Sequence, residues 1–262
     1  MTNNSLNDNI DLFYSTENGD FNYLYSDHLQ YSKSLFARIE PILQQYNIKS
    51  IIDCCCGVGN DLLYFAKRGY SISGSDISSE MLKATKENMD KHNFSVNLFQ
   101  SNVVNVSKNI QEKFDLVIFR GNALGHLNKT EQIEAIKGLF DITKNGGLLL
   151  IDFRNGEAYF KKKRCIEQRG IGINKDDSEI YFCFYHTKHP KTSSERYKIT
   201  SRIYIFNYKR LKIRKIKSRI DANYVLKENI VDTINSEKRE VIFYEKGIEG
   251  LQELETFIIK KE

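Results

Sequence analysis

Between Lys49 and Arg154 the chain alternates strand-like and helix-like segments without a break. KSIIDC is a short β-branched run, and NDLLYFAKRG after it spaces its apolar residues at helical intervals up to Gly69. YSISGSD alternates as a strand and stops at Asp76. SSEMLKATKENMDKHN reads as an amphipathic helix with Ser78 or Ser79 as its N-cap. SVNLFQ, FDLVIFRG and GGLLLIDFR read as three more strands, and NKTEQIEAIKGLFDITKNGG predicts a helix that closes on its two glycines. Continuous apolar strands bridged by helices require a parallel sheet covered on both faces. The expected fold class is therefore α/β, with a doubly wound, mostly parallel sheet. Ligands on such sheets bind beyond the carboxyl ends of the strands.

The texture changes after residue 155. RYKITSRIYIFNYKRLKIRKIKSRI is long, basic and period-two, which marks antiparallel strands with one solvated face. Four regions are expected: 1–48, a helical or flexible segment over the site; 49–155, the core; 156–225, an antiparallel β cap inserted after the fifth strand; and 226–262, which completes the sheet. At 262 residues with 40% hydrophobic content, the chain can bury one substantial core. No stretch approaches the ~20 apolar residues of a membrane span, and MTNNSLNDNIDLFYS lacks the pattern of a signal peptide. A soluble, cytoplasmic chain with no membrane partner is expected. The net charge of +5 permits an anionic partner without demanding one.

Residues 50–60, SIIDCCCGVGN, hold three of the five cysteines (the others are Cys165 and Cys183). Zinc ligands come as Cys-x-x-Cys or Cys/His pairs on separate loops, and no such pair exists here. Consecutive cysteines in an extended chain alternate sides and cannot converge on one ion, so Cys54, Cys55 and Cys56 read as small packing residues and no metal is expected. The glycines carry more information. Gly57 and Gly59 sit between a strand and a helix, where a tight turn lets a ligand approach the backbone. The third glycine of a dinucleotide loop would fall on Leu62, so the pyrophosphate pattern fails. Asp76 ends the next strand, where a carboxylate can accept from two ribose hydroxyls. An adenosine cofactor without a phosphate, S-adenosyl-L-methionine (SAM), fits this set better than NAD.

These parts, DCCCGVGN, SGSD and SNV in register, resemble the class I SAM-dependent methyltransferases, which have a Rossmann-like fold. The resemblance implies SAM as cofactor and S-adenosyl-L-homocysteine as product. It places Asp76 on the ribose, Asn102 at the adenine edge in place of the usual acid, and Asp53 near the methionine amino group. Cys54, Cys55, Gly57, Gly59, Ile77, Met81, Val103, Arg120 and Gly121 complete the implied cofactor surface. FRGNALGHL and IDFRNGEAYF resemble the glycine/sarcosine N-methyltransferases more closely, as does the tyrosine-rich FNYLYSDHLQY upstream. That resemblance implies methyl transfer to the amine of a small, amino-acid-like acceptor. Arg154 would pair with the acceptor carboxylate, Asn122 would help hold it, Tyr25 and Tyr14 would line the transfer site, and His126 is a candidate base. The chain departs from the family at FRN, where HRN or QRN is usual, at ALGHL, and at Glu157, where a tyrosine is expected.

The chemistry suits such a site. A sulfonium already carries a good leaving group, so alignment of an amine lone pair does most of the work. An arginine fork grips a carboxylate bidentately. Each acceptor-side residue also has an ordinary reading: Arg154 as a strand-end charge paired with an acid, Asn122 as a turn residue, His126 as a structural histidine, Tyr25 as core packing. O-methylation of another metabolite is the nearest alternative. KKKR (161–164) and KRLKIRKIK (209–217) raise nucleic acid as a rival partner, but the position after the fourth strand reads GNAL and lacks the (D/N)PP(Y/F) of base methylation. Those runs read instead as a solvated face, so nucleic acid is not expected, and a homo-oligomer is left open.

Overall fold

The computed structural model describes residues 26–161, 164–174, 178–189, 196–236, 239–248 and 251–262. The chain divides into two compact units, one of Phe36–Lys161 with Asn223–Glu262, the other, among the described residues, of 26–35 with 164–222.

The first unit holds a seven-stranded sheet. Its strands are β1 (Ser50–Cys54), β2 (Ser71–Asp76), β3 (Asn97–Gln100), β4 (Phe114–Phe119), β5 (Thr143–Arg154), β10 (Glu240–Ile248) and β11 (Leu251–Lys260), in the order β10-β11-β5-β4-β1-β2-β3. β1 pairs in parallel with β2 and β4, β2 with β3, and β4 with β5. β11 runs antiparallel to β5, and β10 antiparallel to β11. Residues 116–119 and 148–151 are wholly buried, as strands covered on both faces must be. The strand order reverses beside β1, with β2 and β3 to one side and β4 and β5 to the other. The crevice beyond the carboxyl ends of β1 and β4 is thus the switch point of the sheet.

Helices α1 (Ser26–Gln45), α2 (Asn60–Ala66), α3 (Ser79–Lys91), α4 (Val106–Asn109), α5 (Lys129–Asp141), α6 (Gly156–Phe160) and α7 (Lys227–Ser236) accompany the strands. Ser78 caps α3, its hydroxyl accepting from the Met81 amide at 3.4 Å. Asn128 and Glu131 close a capping box on α5. The expectation that α5 closes on two glycines is corrected. The helix ends at Asp141, and Gly146 and Gly147 lie inside β5. Sheet pairing begins earlier than the glycines, with Thr143 opposite Phe114. Gly147 is small because a Cβ there would stand 2.9 Å from the Asp115 carbonyl.

The second unit carries a four-stranded sheet in the order β6-β7-β8-β9, made of β6 (Arg164–Asn174), β7 (Glu179–Lys188), β8 (Arg196–Asn207) and β9 (Lys212–Asn223). β7 is antiparallel to both β6 and β8. Its buried set is Tyr181, Cys183 and Thr187, while Phe182 between them is exposed, as a two-residue period requires.

One local substitution explains the incomplete glycine pattern. A Cβ on Gly74 of β2 would lie 2.8 Å from Leu62 Cδ1, 3.0 Å from Cys56 Sγ and 3.1 Å from Leu98 Cδ2. Leu62 on α2 therefore occupies the room that a glycine on the facing strand leaves open. Gly74→Val should overpack this contact and cost about 1–3 kcal/mol. A urea titration is expected to show a lower midpoint at unchanged slope, and an unmoved midpoint would refute the tight contact.

Candidate functional site

The loop after β1 is built on the end of β2. Asp53 and Cys54 are buried at the end of β1, and Cys55 then leaves the strand exposed at φ 85°. A non-glycine residue there is strained and needs fixing from outside. Two bonds supply it: the Cys55 and Cys56 amides both donate to the Ser75 carbonyl, at 2.7 and 3.0 Å. Burial pushes the Cys54 thiol up to about 12, so it stays protonated. Cys54 and Cys56 are buried and Cys55 exposed, so the three sulfurs do not share a face.

Asp76 closes the loop from the other side. Its Oδ2 accepts from the Gly57 amide and its Oδ1 from the Ser78 amide, both at 3.0 Å. The Gly57 carbonyl in turn accepts from Thr85 Oγ1 at 2.6 Å. Gly57 has φ 53°, and a Cβ placed on it would meet nothing within 4 Å. This face of the loop is open. Gly59, at φ 78°, is the opposite case, since a Cβ would press on Thr85 Cγ2 at 2.8 Å.

Beneath the loop lie four carboxylates and one guanidinium. Arg120, just past β4, reaches Asp61 Oδ2 with Nη1 at 2.7 Å and Asp152 Oδ2 with Nε at 3.1 Å. All three side chains are almost fully buried. The guanidinium also lies over the Phe36 ring at 4.9 Å. Burial, and the negative charge of Asp61, Asp76 and Asp152, hold the Asp53 carboxyl well above the usual carboxylate range, with Arg120 pulling the other way. As a side chain, Arg120 anchors two acids.

Beyond β4, Gly121 and Asn122 are both left-handed, at φ 78° and 59°. The Asn122 amide donates to Asp152 Oδ1 and its own Oδ1 accepts from the Arg154 amide, each at 2.9 Å. Asn122 is a clip between the β4 loop and the end of β5. Arg154 is buried, with Nη1 3.7 Å from Glu253 Oε1 on β11 and its guanidinium 4.9 Å from the Tyr159 ring centre. Burial pushes the His126 imidazole down to about 4, which leaves it neutral at pH 7. At the far side, Met81 and Val103 are buried and Ile77 is half-buried. Asn102 Oδ1 already accepts from the Val104 amide at 3.0 Å, capping a 3-10 turn. A role at the adenine edge would have to use its remaining lone pair or its amide. Tyr14 and Tyr25 lie outside the described residues.

Residues 51–147 match the methyltransferase-domain family. Over that stretch the chain is similar to a methyltransferase domain. Its sequence is 30% identical over 128 residues to the glycine N-methyltransferase of Oryctolagus cuniculus, covering 44% of this chain and 43% of that one. It is 28% identical over 143 residues to the glycine/sarcosine N-methyltransferase of Aphanothece halophytica, covering 53% and 54%. The chain thus spans about half the length of the curated relatives it matches. The fold extends further than the sequence likeness. DesVI of Streptomyces venezuelae superposes over 98% of both chains with a TM-score of 0.72 at 15% identity. CalS10, an amino pentose methyltransferase of Micromonospora echinaspora, covers 89% of this chain and 91% of its own with a TM-score of 0.68 at 15% identity.

Sequence reasoning missed Asp61, Asp152, Glu253 and Tyr159. Asp61 reads as an acid in the first turn of a helix, and Asp152 as part of an apolar strand. Only the presence of a charge in such a strand hinted at a buried partner. Arg120→Met should strand these carboxylates without a counter-charge and cost about 3–5 kcal/mol. Adding Asp61→Asn and Asp152→Asn should recover much of it. A denaturation midpoint unaffected by Arg120→Met would contradict the pairing.

Proposed function

We propose that the chain is a SAM-dependent methyltransferase that methylates the amine nitrogen of a small, amino-acid-like metabolite. The observation that carries the reading is the Asp76 carboxylate, fixed by two backbone amides beside an open-faced glycine at the switch point of the sheet. The residues fit the cofactor. A carboxylate oxygen carries more than one lone pair, so each Asp76 oxygen can in principle accept from a ribose hydroxyl as well as from the backbone. The open face of Gly57 is where a ligand would lie close to the chain. Asp53 is a buried acid lacking enough positive charge around it, which suits a ligand ammonium. The cofactor would supply a methyl carbon activated by a positively charged sulfur.

The chain's own residues would bind and align. A neutral amine needs its lone pair aimed at the methyl carbon, and little proton transfer. Neutral His126, of low basicity, suits a positioning role better than that of a base. Arg154 is the candidate for the acceptor carboxylate, with Asn122 holding its backbone. Tyr25 and Tyr14 complete the proposed transfer site. The glycine N-methyltransferase relatives have nitrogen as target by their names, and this supports an amine. A second reading has one observation behind it: Glu253 already stands 3.7 Å from Arg154, which favours an amine acceptor without a carboxylate, such as an amino sugar.

Asp76→Ala should weaken S-adenosylhomocysteine binding by roughly 1–3 kcal/mol, read by calorimetry; unchanged affinity would refute the cofactor geometry. Labelled SAM offered with glycine, sarcosine, dimethylglycine and amino sugars separates the two acceptor readings. For a carboxylate acceptor, Arg154→Ala should raise its KM far more than that of SAM, and equal effects on both would remove Arg154 from the acceptor side.

A further inference from the structure

The charge of this chain is concentrated in one hairpin. Residues 196–223, which form β8 and β9, hold ten Lys and Arg against a single acid, Asp221. The rest of the chain then carries 29 basic and 33 acidic residues of the 39 and 34 present, so the hairpin is strongly positive on a slightly negative body.

The tip differs from the strands behind it. From Tyr208 to Lys215 every residue is exposed, including both alternating sets at the start of β9, so the tip protrudes with water on both faces. Arg210 donates its amide to Asn207 Oδ1 at 2.8 Å and Leu211 is left-handed at φ 51°, which together fix the turn. The turn holds apolar side chains outward: Leu211 is 78% exposed, Ile213 75% and Tyr208 39%. Between and beside them stand Lys209, Arg210, Lys212, Arg214 and Lys215, with no acid in the eight residues.

Lysines alone on an edge strand would be ordinary protection against sheet-to-sheet pairing. That explanation does not place a leucine and an isoleucine at the most exposed point. Two aliphatic side chains inside a basic ring match a surface with an oily layer beneath anionic groups. A second copy of the chain would set two strongly positive tips together. Nucleic acid would call for several exposed ring faces to stack on, and the tip offers one tyrosine while its two most exposed apolar side chains are aliphatic.

We propose that the β8–β9 tip docks on an anionic lipid surface, with Leu211 and Ile213 entering the interface and the basic residues meeting the headgroups. The expectation of no membrane partner rested on the lack of an apolar span, and a peripheral contact needs none. Each Lys or Arg near such a surface strengthens binding roughly fivefold, and each buried aliphatic side chain about tenfold or more.

The test is co-sedimentation of the full chain with phosphatidylserine/phosphatidylcholine vesicles and with pure phosphatidylcholine vesicles, at low and high salt. Binding to the anionic vesicles alone, weakened by salt, is expected. Leu211→Ser with Ile213→Ser should lose about tenfold or more, as should Lys209→Gln with Arg210→Gln and Lys212→Gln, each at an unchanged melting temperature. No binding to anionic vesicles would overturn the proposal. So would an aliphatic pair whose loss changes nothing, a single-stranded RNA that binds more tightly than the vesicles, or a dimer abolished by the same substitutions.

Discussion

The site depends on one buried guanidinium. Arg120 stands at the carboxyl end of β4, reaching Asp61 on α2 and Asp152 on β5. Each of these acids is expensive to bury alone, and together with Asp53 and Asp76 they would repel one another. The arginine makes their company tolerable and, through its two bonds, ties α2 and β5 to the loop after β4. Asp152 passes the constraint on, since its second oxygen fixes the Asn122 amide and Asn122 in turn fixes Arg154. The floor of the crevice is therefore one connected polar network.

The compensation is partial. Asp53 still has its carboxyl raised by burial and by its acidic neighbours. The shortfall belongs to the charge distribution of the whole floor rather than to any one residue in it.

The sheet was legible in the sequence because continuous apolar strands and capped helices declare themselves locally. SIIDC and FDLVIF fall within the segments that pattern predicts, and Ser78 caps its helix as the sequence suggests. The glycine loop and Asp76 were legible because turn chemistry and a strand-end acid are short-range signals. What escaped was long-range. Asp61 and Arg120 lie 59 residues apart, and nothing in either neighbourhood announces the other. Glu253 meets Arg154 only because β11 lies antiparallel against β5. The glycines after α5 misled because helix-stop chemistry and strand-bulge chemistry use the same residue, and the pairing partner decides between them.

Gly74 bears on how such loops diversify. A small residue is needed at only one of two surfaces that slide together, and here the strand carries it while the helix keeps a leucine. A fingerprint that fixes the gap on the helix side would pass over an arrangement like this one.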